Sequence, residues 1–160
     1  DNHFVDLLGT CFNFAGIVGS VVCAIILFKT QSETRSFAHT LKTAAVMQIV
    51  LSLVAFLYFS FAVLSANKKN LVLSSLAMGL TTYPMLFLGY ELVVSLTPGI
   101  GEAMSCGLLN SLGNACGFLV ILLATNFLSE GMRTDSVIVM TILAVLIVVS
   151  LVLMTLVNTD

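Results

Sequence analysis

The chain has 160 residues, of which 59% are hydrophobic and 9% charged, with a formal net charge of −2 and a mean hydropathy of +1.11. That balance excludes an ordinary soluble domain and, with no basic footprint, a nucleic-acid partner. It implies an all-α membrane protein, because a spanning helix needs about 20 apolar residues and an open chain in lipid can satisfy its backbone only as helix.

The first apolar run extends from about Phe4 to Phe28 and carries the small residues Ala15, Gly16, Gly19, Ser20 and Ala24. Such a stripe lets helix backbones approach closely, which assigns Gly16 and Gly19 to helix packing. The link KTQSETRSFAH, residues 29–39, is the longest and most charged, and leads into a second run, Thr43 to Ser65. The tight link ANKKN, residues 66–70, precedes the third, Leu71 to Leu96. That run holds Thr81, Thr82, Tyr83, Pro84, Tyr90 and Glu91, and Pro84 with Gly79 and Gly89 is expected to bend it.

After TPGIGE, residues 97–102, the fourth run spans Ala103 to Leu128, with Asn110, Ser111, Asn114 and Asn126 among small residues. Amides are costly against hydrocarbon, so this run and the third are expected in the interior, facing other helices or a wet cavity. Gly113 and Gly117 form a GxxxG step there, again a packing signal. Following SEGMRTD, residues 129–135, the fifth run, Ser136 to Val157, has only Ser and Thr as polar residues and is expected at the periphery, facing lipid. Short links make neighbours antiparallel, so residues 1–160 are expected to form a single transmembrane bundle.

Basic residues divide three to three between the two membrane sides, Lys29, Arg35 and Lys42 against Lys68, Lys69 and Arg133, so charge does not set orientation. Cys11, Cys23, Cys106 and Cys116 all lie in apolar runs without CxxC or ligand-spaced His, which reads as packing and predicts neither metal site nor disulfide framework. No nucleophile with its base, paired carboxylates or phosphate loop is visible, so neither catalysis nor a cofactor is expected. The chain begins at Asp1 without a leader, which suggests a processed product or fragment.

Glu91 carries the sharpest single signal, since an ionisable group inside a span is a functional candidate by default. Five residues from Leu96, it shares its membrane side with Lys29, and the two are expected to form a gate or structural charge pair. Asn110 and Asn114, four apart, place both amides on one helical face, where they can orient a polar solute or bond a neighbouring helix.

The segment GYELVVSLTPGIGEAMSCGLLNSLGNACGF, residues 89–118, resembles the tenth and eleventh helices of the feline leukaemia virus subgroup C receptor-related transporters, a branch of the major facilitator superfamily. The matching positions are Gly89, Tyr90, Glu91, Leu96, Thr97, Glu102, Gly107, Leu108, Leu109 and Asn110. GSVVCAIILFK, residues 19–29, resembles the end of the eighth helix, keeping Lys29 but showing Ala24 and Phe28 where Gly and Asp are the pattern.

The resemblance implies that the five spans correspond to helices eight to twelve, with helix seven and the amino-terminal half missing. It implies a secondary transporter for choline, ethanolamine or a haem-like solute, with Asn110, Asn114 and Tyr83 lining the cavity. Asn114 stands where choline-transporting members have Gln, and the family's aromatic cage for a quaternary ammonium draws on helices outside this chain. The implied partners are the bilayer, the missing half or neighbouring membrane subunits, and a small organic solute. Plasma membrane and mitochondrial inner membrane are both compatible. The alternative is a degenerate half-facilitator that serves as a structural subunit of a larger membrane complex.

Overall fold

The computed structural model describes residues 2–30, 37–65, 67–128 and 133–156. These form five helices: α1 (Asn2–Thr30), α2 (Phe37–Ser65), α3 (Lys68–Leu96), α4 (Glu102–Leu128) and α5 (Arg133–Leu156). All five are long and apolar enough to cross a membrane, and the chain is an integral, multi-pass membrane protein. Arg35 and the 129–132 link lie outside the described residues, as does the side chain of Asn126.

The helices outrun the apolar stretches at their amino-terminal ends. α2 winds through His39 and Lys42 before its apolar run, and α3 through Lys68 and Lys69. Polar residues at the interface keep the helical hydrogen bonds while their side chains reach water, so hydropathy marks the hydrocarbon limits and not the helix ends. α3 starts where the Asn67 side chain accepts from Lys69 N at 3.1 Å. It stops at Thr97, whose hydroxyl donates to the Val93 carbonyl at 2.8 Å. Pro98 and Gly99 then make a type II turn, with Gly99 at φ +95° and Ile100 N donating to Thr97 O at 3.2 Å.

α3 is the hub. It packs along α1 on one side and α2 on the other, while α1 and α2 share no extended seam of their own. The α1 seam advances in steps of four on both helices: Ser75 Oγ donates to Leu8 O at 3.0 Å, Gly79 meets the Phe12 carbonyl, and Gly16 meets the Tyr83 ring. Small residues on i±4 ridges let these parallel helices approach backbone to backbone. The buried core, Leu27, Leu41, Ala45, Leu88 and Leu92, joins α1, α2 and α3 towards the end where α3 terminates, and Met154 of α5 packs against it.

The fourth helix departs from expectation. Of its described side chains only Ser105 is buried, and most of α4, with its amides, is uncovered by this chain. It touches α3 near the Pro98–Gly99 turn, through a 2.9 Å Thr97–Ser105 hydroxyl contact and Leu109 beside Gly89. Its amides require polar surroundings, but nothing in that requirement places the surroundings within these 160 residues. α5 lies at the edge as expected, against α2 and, less extensively, α4.

Candidate functional site

Pro84, fully buried in α3, removes the N–H that would bond the Leu80 carbonyl one turn earlier. Both neighbouring helices respond at that level. From α2, Gln48 Nε2 donates to the Thr81 carbonyl at 2.6 Å and Ser52 Oγ to the same oxygen at 3.0 Å. From α1, Gly19 approaches so closely that a Cβ there would lie 2.5 Å from the Leu80 carbonyl oxygen. The glycine Cα hydrogens therefore face an oxygen that has lost its amide donor, a contact that supports close helix packing. Gln48 and Ser52 sit four apart in an apolar helix, a spacing that could have marked them in the sequence.

Tyr83 and Tyr90 are seven apart and share another face of α3. The Tyr83 hydroxyl donates to Asn13 Oδ1 of α1, and its ring meets Phe12 edge to face at 5.6 Å between centroids. The Tyr90 hydroxyl donates to Asn110 Oδ1 of α4 at 3.3 Å. Two tyrosine–amide rungs thus bridge α1, α3 and α4 on one exposed side of the bundle. Asn114 lies on the Asn110 face one turn further along α4 and is exposed. Because the hydroxyls occupy amide oxygens, the Asn13 and Asn110 NH₂ groups retain donor capacity. Asn13 is the one amide in the first apolar run, and its partner is seventy positions away, so no local pattern announced the pair.

The expected packing glycines divide. Gly16 and Gly19 sit on the α1–α3 seam, whereas Gly113 and Gly117 have no atom within 4 Å of a Cβ position. Among the described residues no ion pair joins Glu91 to Lys29; Glu91 is half-buried on α3 and Lys29 exposed in the last turn of α1. Among those same residues no cluster of His, Cys, Asp or Glu could hold a metal ion.

No protein-family model matches the chain. It is 33% identical over 103 residues to the choline/ethanolamine transporter flvcr2a of Danio rerio, an alignment covering 64% of this chain and 20% of that protein. The matched stretch is thus about a fifth of that relative's length, and it is longer than the run at residues 89–118 that carries the resemblance. The five apolar helices fit part of one half of a facilitator. By sequence the chain is similar to a member of the feline leukaemia virus subgroup C receptor-related branch of the major facilitator superfamily.

Proposed function

We propose that the chain forms the carboxy-terminal half of a secondary transporter that moves a small organic solute, of the choline and ethanolamine class, by alternating access. The observation that carries this reading is the exposed face on which Asn13–Tyr83 and Tyr90–Asn110 bridge three helices, with Asn114 beside them. Polar groups that would be costly against hydrocarbon belong at a wet cavity between two halves. The free amide donors suit a hydroxyl oxygen, and the tyrosine rings offer π faces to an ammonium.

The test is uptake of labelled choline and ethanolamine by cells expressing the full-length protein, with Asn110→Ala and Asn114→Ala variants matched for surface amount. Both variants are expected to lower uptake. Uptake unchanged by Asn114→Ala would count against the reading. Recovery of the chain in a stable multi-subunit assembly with no complementary half would favour the structural-subunit alternative.

A further inference from the structure

Asp6 is the one carboxylate on α1, and among the described residues it makes no ion pair. It lies ten residues before Gly16, the middle of the 29-residue helix, which is about 15 Å along the axis. With α1 centred in a hydrocarbon core of roughly 30 Å, the carboxylate stands where lipid tails give way to water. Asn13 follows seven residues later, about 20° around the helix and about 10 Å deeper, so the two share one side of α1. Between them Thr10 donates its hydroxyl to the Asp6 backbone carbonyl at 2.9 Å and keeps its oxygen lone pairs for an incoming group. All three residues are exposed. A polar stripe thus runs from the water boundary to the Asn13–Tyr83 rung.

The other chargeable side chains described at that boundary are His3 on α1 and Lys68 and Lys69 at the start of α3. Lys68 lies 5.5 Å over the Phe4 ring, and Phe4, two residues before Asp6, points about 160° away around α1. Its ammonium is therefore held on the far side of the helix from the Asp6 stripe. His3 and Lys69 are exposed. Removing one carboxylate changes the potential along the stripe by the same amount whatever fixed cations surround it, so His3 and Lys69 set the baseline and not the difference.

We infer, resting on the transporter reading above, that Asp6 selects the charge of the solute: it draws an ammonium alcohol from water onto the Asn13–Tyr83 rung and gives no advantage to an uncharged molecule of the same shape. At about 10 Å and an effective dielectric near 40, between those of a protein surface and of water, one opposite charge raises affinity about four-fold. The Debye length is about 10 Å at 0.1 M salt, so that gain shrinks as ionic strength rises. The amides and tyrosines recognise the solute by contact, whereas Asp6 acts on its charge at a distance.

The experiment measures labelled choline uptake by vesicles holding the full-length protein, at low and at high ionic strength, with 3,3-dimethylbutan-1-ol as an uncharged competitor of the same shape. At low ionic strength Asp6→Asn is expected to raise KM about four-fold with Vmax unchanged, and Asp6→Glu to restore it to within about two-fold. High salt is expected to narrow the gap between the unsubstituted protein and Asp6→Asn. The inhibition constant of the uncharged competitor is expected to be the same in both. A KM unchanged in Asp6→Asn, while Asn110→Ala still lowers uptake, would overturn this assignment and leave the transporter reading standing. A parallel rise in the competitor's constant would mean that Asp6 shapes the site, and a fall in Vmax alone that it serves a gate; either would overturn charge selection. Absence of choline uptake by the unsubstituted protein would overturn both readings.

Discussion

Replacing Gln48 with Leu tests whether α2 holds α3 at its proline. The substitution puts an apolar side chain in place of the amide and removes the 2.6 Å bond to Thr81 O, leaving the 3.0 Å bond from Ser52 in place. Interhelical hydrogen bonds in membrane proteins average about 0.6 kcal/mol and reach about 1.7, so Gln48→Leu alone should cost about 0.5–1 kcal/mol. Ser52→Ala should cost no more. The double variant removes both of these side-chain donors and leaves the oxygen to the Met85 N–H of its own helix. Its loss should therefore come to about 1–2 kcal/mol, read from reversible unfolding in mixed detergent micelles. A double-variant loss below about 0.5 kcal/mol would mean that these bonds do not hold α2 on α3, and the account of the proline level would fail.

Gly79→Ala should destabilise the bundle by about 1–3 kcal/mol, since the new methyl meets the Phe12 carbonyl, a backbone group that cannot rotate aside. Gly113→Ala and Gly117→Ala meet nothing and should be neutral or gain up to about 1 kcal/mol from helix propensity, which the same unfolding experiment reads. Tyr90→Phe deletes the rung to Asn110 at an exposed position, so uptake should fall while stability stays within about 0.5 kcal/mol.

The five spans were legible because length and apolarity leave a lipid-embedded chain few options. The central place of α3 was also legible, from the polar and bending residues at 81–84. The position of α4 was not: Asn110, Ser111 and Asn114 specify polar surroundings, but a sequence does not say whether the same 160 residues supply them. Glu91 and Lys29 were expected to pair because they share a membrane side, yet a shared side fixes height and leaves azimuth around the bundle open. Gln48, Ser52 and Asn13 act on partners 33, 29 and 70 positions away, and no local period encodes such distances.

The hub position of α3 also orders the assembly of the protein in time. α1 and α2 precede α3 in the chain and share no extended seam, so before α3 is made they have no packed interface with each other. They acquire their common core only when α3 follows and seats itself against both. Until then Gln48 and Ser52 have no Thr81 carbonyl to bind, and the seam glycines of α1 lack the α3 backbone they pack against. On a ribosome stalled after Ser65, α1 and α2 should therefore move independently of each other, whereas after the Pro98–Gly99 turn they should be packed together on α3.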